Sequence, residues 1–213
     1  RRPFWREQLI AALRIVQQSD IGMSNLIGSW AGAIGHTQFI PTTFERYAVD
    51  FDGDGKRDLV NSIPDALAST ANYLSQSGWV DDELWGREIR LPATFEWSQA
   101  DPSYRLPVSR WVEQDAVTDM HNAPLLGDDP AFIFLPAGYR GPAFLAFRNF
   151  NILLKYNNAY SYVLAVGSLG DRIRGTAAIQ APWPRDTREL SVTEKAELQE
   201  LLTMAGYSTD GID

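Results

Sequence analysis

The chain has no cysteine and two histidines, His36 and His121, in 213 residues. Disulfides, thiolate metal sites and cysteine nucleophiles are therefore excluded, and a multi-histidine metal centre has too few ligands. Neither histidine lies in a nucleophile-elbow context, so a Ser/His/Asp hydrolase finds no support. No apolar run of about 18 residues is present, so no segment reads as a membrane span, and no signal peptide is visible. Positive charge is also scarce. The net charge of −8 offers no basic face and argues against a nucleic-acid partner. Internal repeats and low-complexity tracts are absent as well. What is present suffices for a core: 45% hydrophobic and 12% aromatic residues, enough for one large domain with a small appendage.

The densest chemical signal is Asp50-Phe-Asp-Gly-Asp-Gly-Lys-Arg-Asp-Leu-Val-Asn61. Asp50, Asp52, Asp54 and Asp58 occupy positions 1, 3, 5 and 9 of a calcium loop, and Gly55 takes the sharp turn at position 6. Lys56, at position 7, would offer its backbone carbonyl. Four crowded carboxylates repel one another without a cation, and an all-oxygen set favours Ca²⁺ over zinc. Position 12 is Asn61 instead of glutamate, so closure falls to Asn61, to water or to Asp65. The alternative is a solvated acidic turn whose glycines only supply positive φ.

Helical spacing is expected over residues 4–18, with Trp5, Leu9, Leu13 and Val16 on one face. A capping-box-like Ser62…Asp65 with Pro64 should open a helix that buries Ile63, Leu67 and Leu74 and ends at Gly78. Residues 28–40 hold Gly28, Gly32 and Gly35, which let backbones or a ligand approach closely. Residues 86–140 read as a small β-rich insertion, with strands at 87–91 and 131–135. Helical pattern resumes near Ala143 and runs to about Leu169, broken at Asn157-Asn158. A linker around 178–189 leads to Ser191-Val-Thr-Glu194, a second capping box, and to an apolar stripe of Leu198, Leu201, Leu202 and Ala205 ended by Gly206. One helix cannot bury its own stripe. The chain begins in mid-pattern at Arg1 and stops at Gly211-Ile212-Asp213, so further residues are expected on both sides.

Gly28-Ser-Trp-Ala-Gly-Ala-Ile-Gly-His-Thr-Gln-Phe-Ile-Pro41, followed by Tyr47-Ala-Val-Asp-Phe-Asp-Gly-Asp-Gly55 and Asp65-Ala-Leu-Ala-Ser-Thr-Ala-Asn-Tyr-Leu74, resembles the MltB-type (family 103) lytic murein transglycosylases. The resemblance covers residues 1 to about 177. Residues 190–213, with Leu198-Gln-Glu-Leu-Leu and Ala205-Gly-Tyr, resemble the truncated opening of a type-1 peptidoglycan-binding domain. The family implies an α+β, mainly α fold: a lysozyme-like helical core with an EF-hand-like calcium loop and a small β-rich insertion. It implies a partner, the peptidoglycan glycan strand, and cleavage of the MurNAc-β-1,4-GlcNAc bond to a 1,6-anhydroMurNAc end. It also implies a periplasmic or cell-envelope setting, with membrane contact only through an N-terminal anchor not present here.

Most glycosidases use two carboxyls. The lytic reaction, as the family implies, uses one glutamic acid, which protonates the leaving oxygen and then takes the proton of the sugar's own C6 hydroxyl. In the family that residue lies N-terminal to the glycine-rich motif. Between Arg1 and Ser29 the only glutamate is Glu7, flanked by Arg6; Glu45 sits beside Arg46. Both read as surface ion pairs, so the acid is expected upstream of Arg1. Matched family positions make Ser29, Gln38, Tyr73, Tyr156, Asn157 and Tyr162 the candidate substrate contacts. Ser29 has a cap as its alternative role, and the tyrosines have the core as theirs. Gln38 is read as a buried amide that needs partners. Trp30 and Phe39 read as core, and His36 receives no role. Two other readings remain: a non-catalytic, calcium-stabilised peptidoglycan-binding protein of the same fold, and a dockerin-like module. Dockerins carry the loop twice in a short chain; here it occurs once.

Overall fold

The computed structural model describes residues 2–207 except 115, 116 and 187. Helix α1 (Arg2–Gln17) crosses α2 (Pro41–Tyr47), and α3 (Ile63–Ser77) follows the acidic loop. Strands β1 (Gly86–Ile89), β2 (Leu106–Pro107), β3 (Pro130–Phe134) and β4 (Ala143–Ala146) form one antiparallel sheet in the order β1-β4-β3-β2, with α4 (Val108–Glu113) following β2. Helices α5 (Arg148–Tyr156) and α6 (Tyr160–Ile173) then return to the helical side, and α7 (Val192–Met204) stands last. No helix of the described residues is long and apolar enough to cross a membrane.

Local signals account for the element ends. The Ser62 hydroxyl accepts the Asp65 N–H, Pro64 occupies the first turn of α3, and Gly78 closes the helix at φ 102°. At α7, Ser191 and Glu194 complete the reciprocal capping box. No described residue of α7 is buried, in keeping with a stripe that one helix cannot cover. Residues 208–213, the end of the expected peptidoglycan-binding segment, lie outside the described residues.

Two expectations about faces are overturned. The Trp5–Leu9–Leu13 stripe of α1 is exposed, and the helix buries Gln8, Ala11 and Ile15 instead. The small Ala11 lets α2 approach, and the Gln8 amide is satisfied there: its oxygen accepts the Thr42 N–H at 3.1 Å and its Nε2 donates to the Thr42 hydroxyl at 3.0 Å. On α3, Ile63 and Leu67 are exposed, while Asp65, Ala66 and Ser69 are buried. Here the acidic loop takes the inner face of the helix because Ser69 and Asp65 supply acceptors for its backbone N–H groups. A third expectation, helix from about Ala143 onward, is overturned as well. Ala143–Ala146 is instead the inner strand β4, paired with β1 and β3, since both faces of this strand are covered and its apolar run carries no period.

The sheet separates two cores. Ala131, Ile133, Leu145 and Ile89 pack against Trp111, Val117 and Leu125 on one side. Phe132, Phe144 and Ala146 face Trp85, Phe150, Leu153 and Val163 on the other. Gly167 permits this second contact, because a Cβ there would lie 2.4 Å from the Trp85 ring. The buried Asn149 side chain ties α5 to the segment before β1, accepting from Val80 N and donating to the carbonyls of Val80 and Glu83. A third core of Ile15, Ile21, Ile34, Phe39, Phe44 and Leu59 lies under the glycine-rich segment and the acidic loop, with Tyr73 and Tyr156 at its edge.

Candidate active site

The glycine-rich segment folds back on itself through bridges between Gly28 and Ile34 and between Ile34 and Phe39. The Ser29 hydroxyl accepts the N–H groups of Ala31 (3.3 Å) and Ala33 (3.2 Å), which holds this turn closed. Gly35, at φ 66°, lies against the acidic loop: a Cβ there would be 2.3 Å from the Leu59 carbonyl, and His36 N donates to that carbonyl at 2.9 Å. Gln38 is exposed and not buried as expected, at φ 52°, a left-handed conformation that costs a non-glycine residue about 1–2 kcal/mol. Its Nε2 and its N–H both donate to the Gly35 carbonyl, at 3.0 and 3.2 Å. Phe39 is core, but Trp30 is 96% exposed, since the Ser29–Gly32 turn carries it outward.

The tyrosines form one cluster. Tyr73 meets Tyr156 edge-to-face at 5.0 Å, Phe39 lies 5.8 Å from each, and Tyr156 stacks on Tyr162 at 6.1 Å with 7° between planes. Tyr73 donates to the Lys155 carbonyl at 2.7 Å, and Tyr156 donates to the Thr37 carbonyl at 2.6 Å. The break between α5 and α6 is thereby fastened both to α3 and to the glycine-rich turn. Neither the Tyr162 hydroxyl nor the Asn157 side chain has a hydrogen-bond partner among the described residues. Asn157 is exposed at the end of α5, with extended backbone.

Burial raises the pKa of all three tyrosines, that of Tyr156 to about 12. Below the ordinary tyrosine value of 10.0, folded and unfolded chains both hold the Tyr156 proton. Between 10.0 and about 12 only the unfolded chain releases it, so stability is complete below that window and lost as pH rises through it. The urea midpoint is expected to fall between pH 10.0 and about pH 12, and Tyr156→Phe should flatten that slope. An alkaline slope of equal steepness in the variant would exclude this tyrosine as its source.

The acidic loop brings Asp50, Asp52 and Asp65 together, with one oxygen of each within 4.8 Å of the others. Asp50 accepts from Gly53 N at 2.7 Å and Gly55 N at 2.8 Å, and Asp52 accepts from the Ser62 hydroxyl at 2.8 Å. Asp65 is fully buried and accepts from Phe51 N, Asp52 N and Asp58 N. Carboxylate oxygens engaged in this way keep free lone pairs, and a separation of this size suits a hard cation about 2.4 Å from each. Asp54 and Asp58 fall outside that cluster and accept from local backbone instead: Asp54 from Lys56 N, Asp58 from Val60 N and Asn61 N. The Asn61 amide also donates to Asp58 at 2.8 Å. Burial works against the Asp58 charge, yet the hydrogen bonds from Asn61 and Val60 hold its pKa below the usual value.

Sequence reading missed a clasp beneath the loop. Arg57 reaches the buried Asp20 carboxylate at 2.6 Å, donates to Gln18 at 2.9 Å, and lies 5.1 Å above the Phe44 ring. The two charges are 37 residues apart in the chain, and no local pattern connects them. Thr37 was also missed; its hydroxyl is buried without a hydrogen-bond partner among the described residues.

Residues 1–171 match the Transglycosylase SLT domain family. The chain belongs to this family. Its backbone superposes with a TM-score of 0.92 on SltB3 from Pseudomonas aeruginosa in complex with NAG-anhNAM-pentapeptide, at 49% identity over the whole of this chain and 58% of that one. The Escherichia coli transglycosylase Slt35 in complex with calcium gives 0.64, at 27% identity over 81% of this chain and 54% of that one. Membrane-bound lytic murein transglycosylase B of Escherichia coli (strain K12) is 29% identical over 175 residues, 81% of this chain and 46% of that protein. The SLT chain thus spans about half the length of these relatives. Its helices and small antiparallel sheet are the lysozyme-like SLT fold.

Proposed function

We propose that this chain is the glycan-holding part of a lytic murein transglycosylase that cleaves the MurNAc-β-1,4-GlcNAc bond and leaves a 1,6-anhydroMurNAc end. The observation that carries the reading is the set of polar groups around Tyr156: its hydroxyl holds the carbonyl before Gln38, its ring stacks on Tyr162, and Asn157 follows it in the chain. Among the described residues Tyr162 and Asn157 keep side-chain hydrogen-bonding capacity unspent, and Gln38 holds a strained backbone of the kind that collects at functional sites. Amide and phenol groups of this kind hold N-acetyl and hydroxyl substituents, while aromatic faces pack on sugar C–H surfaces. Ser29 and Tyr73 act as supports instead of ligand contacts, because their hydroxyls are committed to the turn and to the Lys155 carbonyl. The SltB3 complexes, at about half identity, lend support to a murein ligand.

The general acid in this reading comes from a glutamate outside these 213 residues. Glu7 is exposed and Glu45 pairs with Arg14 at 3.5 Å, and neither setting is the dry cleft that keeps a carboxyl protonated. Asp50, Asp52 and Asp65 are the core of a Ca²⁺ site, with Asp65 as the closing ligand. That ion would pin the loop against Gly35 and supply stability, taking no part in proton transfer. Residues 1–177 form the transglycosylase part with its β-rich insertion, 178–189 link it onward, and 190–213 open a peptidoglycan-binding domain whose exposed Leu198, Leu201 and Leu202 await a partner surface. The setting is the cell envelope.

Calorimetric titration with NAG-NAM-pentapeptide tests the reading. Saturable one-to-one binding is expected, weakened about tenfold by Gln38→Ala through the loss of one hydrogen bond of about 1.4 kcal/mol. No heat of binding at millimolar ligand would end the proposal.

A further inference from the structure

We infer that Tyr156 is a positioning residue, which sets the Gln38 backbone through the Thr37 carbonyl instead of touching the sugar. The inference rests on the reading of Gln38 as a glycan contact. Its first support is where the hydroxyl is spent. Tyr156 donates to Thr37 O at 2.6 Å across 119 residues of chain, a short bond that leaves the phenol proton unavailable to a ligand.

The second support is what that bond restrains. Thr37 O belongs to the peptide that leads directly into Gln38, and Gln38 stands at φ 52°, where an L residue with a side chain relaxes unless its neighbours hold it. The Thr37 side chain is no anchor, because its Oγ1 is buried and has no hydrogen-bond partner among the described residues. Of that residue's polar side-chain and carbonyl atoms, the carbonyl is the one with a tether, and Tyr156 is the tether.

The third support is immobility. The Tyr156 ring is fixed by Tyr73 at 5.0 Å, Phe39 at 5.8 Å and the parallel Tyr162 at 6.1 Å, so it has no room to swing towards a ligand. Tyr162, the outer member of the stack, retains the free hydroxyl. Two tyrosines of one stack therefore divide the work: the inner one shapes the Gln38 turn, and the outer one meets the glycan.

Tyr156→Phe keeps the stack and removes only the hydroxyl, so a double-mutant cycle with Gln38→Ala reads the coupling directly. Affinity for NAG-NAM-pentapeptide is expected to fall about tenfold in Tyr156→Phe, about tenfold in Gln38→Ala, and no further in the double variant. Amide hydrogen exchange, followed well below the melting temperature, supplies a second readout. Exchange at Gln38 N–H, bonded to Gly35 O, should accelerate in Tyr156→Phe, while Val163 N–H, bonded to Ala159 O, should keep its protection. Additive losses of affinity, or unchanged exchange at Gln38, would overturn the positioning role and return Tyr156 to direct contact. Wild-type affinity in Gln38→Ala alone would remove the glycan reading of Gln38, and the inference with it.

Discussion

Asp65→Ala is expected to lower the melting temperature by about 6–12 °C, followed by circular dichroism. Both Asp65 oxygens are buried and together accept three backbone N–H groups, from Phe51, Asp52 and Asp58, at 2.8, 3.4 and 2.9 Å. Alanine leaves those donors facing a void. A buried donor stripped of its acceptor costs about 1–3 kcal/mol, and part of the loop is exposed enough to take up water, so about 3 kcal/mol is the expected total. For a chain of this size each kcal/mol moves the midpoint by about 2–4 °C. The charge also sits in the first turn of α3, where the helix dipole favours it. Asp65→Asn keeps one acceptor and should fall between the two. Added Ca²⁺ at about a hundred times its dissociation constant should stabilise the wild type by about 2.7 kcal/mol and leave Asp65→Ala unmoved. A variant that melts within a degree of the wild type, or that keeps the calcium shift, would show that Asp65 neither braces the loop nor closes the ion site.

Purified sacculi incubated with the 213-residue chain should release no 1,6-anhydromuropeptides above buffer alone, as read by mass spectrometry. The lytic reaction needs one carboxylic acid that stays protonated at neutral pH, and general-acid catalysis of this kind contributes about 10²–10⁴-fold. Glu7 is solvated and Glu45 is ion-paired. Among the described residues the buried carboxylates are Asp20 and Asp65, committed to Arg57 and to the backbone of the acidic loop. Binding without cleavage is the expected pattern. Anhydro products from these residues alone would place the acid within them and redraw the site.

Much of the helical framework was legible because it is written locally. Ser62, Pro64 and Gly78 mark the ends of α3 with side-chain and φ preferences that act within four residues. The α5–α6 break at Asn157-Asn158 was readable for the same reason. The acidic loop was recognisable by spacing, yet spacing alone did not say which carboxylates converge. Asp54 and Asp58 turn to backbone N–H groups two or three residues further along the chain, and Asp65, beyond the expected twelfth position, enters the cluster. A carboxylate chooses between cation and backbone on distances that only the folded turn defines.

The amino-acid sequence by itself determined the caps, strands β1 and β3, the acidic loop and the glycine-rich turn, since each depends on neighbours a few residues apart. Tertiary structure decided the rest: the polar face that α1 buries, the strand at Ala143–Ala146, the Asp20–Arg57 clasp and the left-handed Gln38 beside Tyr156. In each of these a residue's partner lies far along the chain, and its burial or backbone conformation follows from what that partner supplies.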